Sequence, residues 1–331
     1  MEQVSSNSQL NSEDEQLFVY ECILLASFVI LYYDYILTFP DEFNRYWNRS
    51  RKITIATILF FLNRYLTTLG YLPFFILYIR PTTSPNRLEV SRSSSESIRY
   101  LKSCQHFDLY HVYLVIAIQV IIGTISVLRT YALYGRSRRI LVLLCTSTVI
   151  AAAFGLFCSF TSRDDYTEMD FPSKSCLLPL SDRASKRQLV GWAGLVAFEV
   201  LIFGLILFKS IMLTTKMNGT YAIIDVMLRD GAVYFGIIAL SSTSVIITFR
   251  LNKKHERGMT ATLTNSLASS MITRLMLNLR DPSLASGTLS RVGTRPILSR
   301  LSFVTGFEAA WTTQIDSMLP ASLEDSTDSD A

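Results

Sequence analysis

Formal charge is scarce in this sequence. Lys and Arg number 31 and Asp and Glu 27 in 331 residues, 18% of the chain, against roughly 25% in soluble domains. Half the residues are hydrophobic and the mean hydropathy is +0.31. Such a chain is neither disordered nor an ordinary nucleic-acid-binding domain, and it argues against a soluble enzyme. The net charge of +4 implies no polyanionic partner, so no nucleic acid is expected. Histidine is limited to three residues, His106, His111 and His255. No two of them stand four apart on a helix, which removes the usual zinc pair. No G-x-S-x-G, Walker-type loop or paired catalytic carboxylates occur, and no Lys lies in the last candidate span to carry a Schiff base. The chain therefore reads as a non-enzyme without a cofactor. Proline interrupts a candidate span only at Pro73, whereas transporters built on broken helices show Gly/Pro interruptions in two matching halves.

What the chain has instead is long uncharged runs. A helix needs about 20 residues to cross a hydrocarbon core. Between Asp108 and Arg129 there are 20 uncharged residues, between Arg139 and Arg163 there are 23, and between Asp230 and Arg250 there are 19. The 21 residues between Arg187 and Lys209 are broken once, by Glu199. Two further spans, Leu17 to Phe39 and Ile53 to Ile79, carry Glu21, Asp34 and Arg64. A seventh, Gly258 to Leu279, is rich in Thr, Ser and Asn and contains Arg274. Small polar residues are accepted in the interior of a bundle, where neighbouring helices satisfy them. The expected fold is an all-α integral membrane protein, a seven-transmembrane-helix bundle, or six if the last span fails. Its domain plan is a short extracytosolic tail over 1–16, a transmembrane domain over 17–280 and a tail over 281–331. The spans are 17–39, 53–79, 107–128, 140–162, 188–208, 231–249 and 258–279.

The first 17 residues contain no Lys or Arg but four acids, whereas the following loop holds Arg45, Arg49, Arg51 and Lys52. With the compact basic group Arg129, Arg136, Arg138 and Arg139, this places the N-terminus outside and the C-terminus in the cytosol. A plasma-membrane location is expected. No basic n-region precedes the first apolar run, which is read as an anchor rather than a cleaved signal. After Arg280, 15 of 51 residues are Ser or Thr and the end is acidic, which reads as a mostly disordered cytosolic tail. Within it, Arg295 to Phe307 is either a membrane-surface segment or a floppy stretch. Cys22, Cys145 and Cys158 fall inside spans and read as packing residues. Cys104 and Cys176 fall in outward loops, where an oxidising compartment would join them.

An ionisable group inside a span is a functional candidate when a partner can be named. Arg64 lies about 16 Å from the cytosolic start of its helix and Glu199 about 15 Å from the cytosolic end of its own. Matching depth makes them the expected ion pair, either helix-locking or part of a ligand or ion site. Asp34, closer to the cytosolic interface, either competes for Arg64 or serves the loop arginines instead.

Six short motifs carry a resemblance: YDYILTFPDEF (Tyr33 to Phe43) with Trp47 after it, FFLNRY (Phe60 to Tyr65), RTYALYG (Arg129 to Gly135), FEVLIF (Phe198 to Phe203), LRDGAVYF (Leu228 to Phe235) and RLMLNLR (Arg274 to Arg280). In this order they resemble a family of multi-pass membrane proteins numerous in mushroom-forming fungi and known as a domain of unknown function. The resemblance implies a seven-helix bundle and no known activity. It places Asp34, Arg64 and Glu199 in motif positions. The polar stretch Asn252 to Ser270 departs from the family pattern. A looser topological likeness is to G-protein-coupled receptors, through the Cys104/Cys176 placement and the Leu128-Arg129-Thr130-Tyr131 stretch at the cytosolic end of the third span. The acidic residue that precedes Arg in the receptor motif is missing, as are Asn-Pro-x-x-Tyr and any proline in the fifth to seventh spans.

The partners expected are the lipid bilayer, an unknown extracytosolic ligand and a cytosolic signalling partner met through the basic loops, Arg129 and Tyr131. The reading is a receptor- or sensor-like protein. An intramembrane enzyme or transporter using Arg64, Glu199 and Asp34, and a structural scaffold, are the alternatives.

Overall fold

A computed structural model describes residues 2–47, 54–79, 94–161, 181–215, 231–250 and 258–280. Among these residues every regular element is helical. The helices are α1 (Glu2–Glu42), α2 (Ile55–Gly70), α3 (Leu72–Ile79), α4 (Ser94–Leu133), α5 (Arg138–Thr161), α6 (Asp182–Thr215), α7 (Ala232–Arg250) and α8 (Ala261–Leu279). Six stretches are long and apolar enough to cross a membrane: Phe18–Trp47, Ile55–Ile76, His106–Leu133, Arg138–Thr161, Asp182–Met212 and Ala232–Arg250. The last helix, α8, has the 19 residues of α7 but not its apolar composition, and stays outside that set. The tail beyond 280, with Arg295 to Phe307, and Cys176 lie outside the described residues.

Local chemistry sets the breaks. Pro40 stands in the last turn of α1 and cannot donate to the helix ladder. The chain then widens into a π-helical turn, Phe43–Trp47, a form common where side chains must be re-aimed. Pro73 divides the second span at Tyr71, and carbonyls on either side of Leu69, the residue whose helical donor Pro73 removes, accept from outside the helix. Tyr32 Oη donates to the Thr68 carbonyl at 2.9 Å and Tyr110 Oη to the Gly70 carbonyl at 2.9 Å. In a bilayer such rescue is what lets a proline stand in a spanning segment. Thr54 caps α2, its side chain accepting from Thr57 N–H at 3.2 Å.

The packing follows composition in reverse of a soluble protein. In α5 only Leu144 and Cys158 of 24 residues are buried; Val149, Ile150 and Phe157 face outward. In α8 eleven of 19 are buried, among them Thr262, Thr264, Asn265, Ser266, Ser269, Ser270 and Thr273. Helix α8 packs against α1, α7, α4 and α2; α6 packs against α7, α5 and α4; α2 lies against α4. The apolar core between them holds Phe28, Ile118, Ile202, Ile206, Ile238 and Ile272. Gly70 allows the approach of Leu114, whose Cδ1 would lie 2.5 Å from an added Cβ. Lipid tails are as apolar as leucine, so hydrophobic burial contributes little between helices here, and close packing with interhelical hydrogen bonds carries the association.

Candidate functional site

The C-terminal ends of α1, α4, α6 and α8 and the N-terminal ends of α2, α5 and α7 share one end of the bundle, and the polar side chains concentrate there. Arg64, on the third turn of α2, is 3% exposed, and its Nε lies 2.6 Å from Glu42 Oε2 at the end of α1, which is fully buried. Its Nη1 donates to Thr38 Oγ1 at 2.7 Å, its Nη2 to the Tyr35 carbonyl at 2.9 Å, and the guanidinium lies 4.5 Å from the centre of the Tyr35 ring. The other Glu42 oxygen accepts from Tyr65 Oη at 2.8 Å and from Trp47 Nε1 at 3.0 Å. Trp47 comes from the π-helical turn, so the break at Pro40 supplies one of the donors. A buried charge is strongly penalised unless its partners complete its hydrogen bonds, and here both charges are enclosed by donors and acceptors.

A second ion pair stands beside the first. Arg274 of α8 donates from Nε to Asp34 Oδ1 at 2.5 Å. The Asp34 main-chain carbonyl accepts from Thr38 Oγ1 at 2.7 Å, so Thr38 ties the Arg64 guanidinium to the backbone of the turn that carries Asp34. Further ties join α8 to the same region: Arg45 Nη1 donates to the Leu277 carbonyl at 2.5 Å, Arg280 Nη2 donates to Thr57 Oγ1 at 2.9 Å, and the Arg280 guanidinium lies 3.9 Å from the centre of the Tyr46 ring. Asn63 Nδ2 donates to the Ser269 carbonyl at 3.0 Å and to Thr273 Oγ1 at 3.1 Å. The arrangement clamps α1, α2 and α8 together by charge-assisted bonds.

Polar contacts continue along α8 to the opposite end. Gln119 Nε2 donates to Asn265 Oδ1 at 2.5 Å, and Asn265 Nδ2 to Tyr71 Oη at 3.3 Å. Thr264 Oγ1 donates to the Ser241 carbonyl at 2.9 Å. His111 Nε2 and Thr262 Oγ1 are hydrogen-bonded at 3.1 Å, with Phe74 edge-on to the imidazole at 5.0 Å between centroids. The most polar helix is thus tied to α1, α2, α4 and α7 from its first turn to its last.

Of the residues singled out in the sequence, Arg64 and Asp34 share one cluster and Glu199 is elsewhere. The expected Arg64–Glu199 pair does not form. Equal depth places two residues in one layer but does not fix the direction in which each faces; α2 faces α1, α4 and α8, whereas Glu199 on α6 stands beside Ser242 of α7. The actual partner, Glu42, escapes a count of charges because it lies past Pro40, beyond the expected end of the first span. Arg274 stood in the sequence only as a charge within the polar seventh candidate span and was not among the site residues singled out. Glu199 is 8% exposed, and among the described residues neither carboxylate oxygen is in good hydrogen-bond geometry with a partner. An ionised acid near a span centre costs about 2.5–3.5 kcal/mol on insertion scales, so this group is unlike the enclosed Glu42.

Arg129 stands one turn before the end of α4 with its guanidinium against Gly231: a Cβ on Gly231 would lie 2.8 Å from Arg129 Nη2 and 2.6 Å from Leu275 Cδ1. Gly231 also has φ +80°, so glycine is required there twice over. Tyr131 is half-buried, and its carbonyl accepts from Arg136 N–H at 3.1 Å in the turn to α5. Beside it Tyr134 Oη donates to the Leu205 carbonyl at 2.9 Å, with Lys209 Nζ 5.4 Å from the ring centre. Burial pushes the Tyr134 phenol up from its ordinary value of 10.0. Among the described residues no three His, Cys, Asp or Glu side chains converge on a point that would hold a metal.

Residues 22–69 match a family of unknown function (DUF6533). The match takes in the spanning part of α1, the π-helical turn and α2. With them it includes every residue on the α1 and α2 side of the clamp, from Asp34, Thr38 and Glu42 to Arg64 and Tyr65. Two of the six sequence motifs, around Tyr33 to Phe43 and Phe60 to Tyr65, fall inside it; Arg274 and Arg280 fall outside. No curated protein and no solved structure matches the chain.

Proposed function

We propose that the chain is a receptor- or sensor-like seven-helix membrane protein in which α8 is the seventh span and carries a conformational signal from one face of the membrane to the other. The observation that supports this is the unbroken series of side-chain bonds along α8, from Thr262 with His111 through Asn265 and Asn63 to Arg274 with Asp34. A helix held to its neighbours by directional bonds at both ends moves as a unit or not at all, which is how a small displacement at one site becomes a repacking at another. On this reading the His111 end faces outward and meets a ligand. The Arg64 end faces the cytosol, next to the basic turn of Arg136, Arg138 and Arg139, and meets a signalling partner. The absence of Lys and Arg from the first 17 residues supports that orientation, and a plasma-membrane location goes with it.

Transmission is tested without a ligand. Thr262→Val removes the bond to His111, and amide exchange followed by mass spectrometry reports on residues 274–280 in protein reconstituted into bilayers. The reading requires faster exchange at that distant end. A change confined to the first turns of α8 would overturn it.

A further inference from the structure

We propose that Glu199 is a proton-binding site in the interior of the bundle, held as the neutral carboxylic acid while α6 and α7 are packed together and losing its proton only when they part. The residue is 8% exposed, and among the described residues neither of its oxygens is in good hydrogen-bond geometry with a partner. Among the described residues, no element packed against α6 carries a counter-charge at this level. Between Asp108 and Arg129, α4 carries only His111, Tyr110 and Tyr113 as titratable groups; beyond Arg139, α5 carries only Cys145 and Cys158; between Gly231 and Arg250, α7 carries only Tyr234. On α6 itself Lys209 is ten residues away and Arg187 twelve, about 15 and 18 Å along the axis, and each is engaged elsewhere, Lys209 over the Tyr134 ring and Arg187 on the Thr161 carbonyl. The neighbouring polar group is the Ser242 hydroxyl of α7, which faces the carboxyl closely enough to interact with it but is uncharged and is not in good hydrogen-bond geometry.

An acid in such a place has three ways to avoid an exposed negative charge: an ion pair, a bound metal cation or a proton. The ion pair is removed because no base among the described residues faces it. A dehydrated cation needs about six oxygens around it, and one carboxylate with one serine hydroxyl falls far short. The proton needs nothing more than the carboxylate. Ionisation then demands either water or separation of α6 from α7, so the protonation state of Glu199 and the spacing of these helices are linked. This inference stands apart from the transmission attributed to α8, because α8 supplies none of the groups involved.

The test uses the full-length protein in lipid vesicles at neutral pH. Infrared spectroscopy should show a protonated-carboxyl carbonyl band that shifts when Glu side chains are carbon-13 labelled and disappears in Glu199→Gln. The hydrophobic reagent dicyclohexylcarbodiimide, which modifies protonated carboxyls inside membranes, should label Glu199 and leave the ion-paired Glu42 unmodified, with equal labelling in sodium and in choline buffers. Glu199→Gln, which matches the neutral acid in shape, should fold in normal yield. Absence of the labelled-carboxyl band from the wild-type protein overturns the proposal whatever the variant does. Loss of labelling in sodium alone overturns it in favour of a cation site.

Discussion

Helices α5 and α8 sit in the same bundle and obey opposite rules. The 24 residues of α5 are largely apolar, yet half of them are exposed and only two are buried. The 19 residues of α8 are crowded with Ser, Thr and Asn, and eleven are buried. In water the reverse would hold. When the surroundings are as apolar as the side chains, burial of leucine or valine gives no net gain, and the groups that must be enclosed are the polar ones. The contrast teaches that polarity in a membrane helix marks its interior side, and that the weakest spanning candidate by composition is the central helix by position.

The comparison can be broken most forcefully at the anchor of the polar side. Glu42→Ala leaves the Arg64 guanidinium buried without its counter-charge and should destabilise the protein by about 3–5 kcal/mol, read as a lowered thermal midpoint in detergent. Next comes the middle of α8. Asn265→Leu strands Gln119 and the Tyr71 hydroxyl and should cost about 1–3 kcal/mol. In the same assay Val149→Ala on the outward face of α5 should stay within about 0.5 kcal/mol. Equal losses at the two positions would end the distinction between the helices.

The second ion pair grades the effect. Arg274 is 37% exposed where Arg64 is 3%, so Asp34→Asn should cost only about 1 kcal/mol, in the range of solvated pairs. The smallest effect belongs to Tyr134, outside the spans. Folding raises its phenol above 10.0, so its contribution is complete below that pH and is lost as pH rises through the folded value. Tyr134→Phe should therefore flatten the alkaline fall in thermal midpoint. An unchanged alkaline limb would remove Tyr134 as its source.

How far the sequence could be read divides along physical lines. Uncharged runs report depth directly, because charge is costly at the bilayer centre, and six helices emerge where the runs are. Side-chain direction is not encoded in a run. Arg64 and Glu199 share a depth and face different neighbours, while Glu42 was hidden behind Pro40, where a proline and an acid ordinarily signal the end of a span. The π-helical turn that returns Trp47 to Glu42 has no sequence mark beyond that proline. Thr38 reads as one more helix residue, yet it accepts a bond from the buried Arg64. For α8 the composition could be read as loop or as interior helix, and only its neighbours decide between them.

The central claim is that Arg64 is anchored by Glu42 in the clamp of α1, α2 and α8, with Glu199 independent of it. Two double-mutant cycles on thermal unfolding in one detergent test this most directly, Arg64→Gln with Glu42→Gln and Arg64→Gln with Glu199→Gln. The structure predicts an interaction energy of about 1–3 kcal/mol for the first cycle and additivity within about 0.5 kcal/mol for the second. Additivity between Arg64 and Glu42 together with coupling between Arg64 and Glu199 would contradict it.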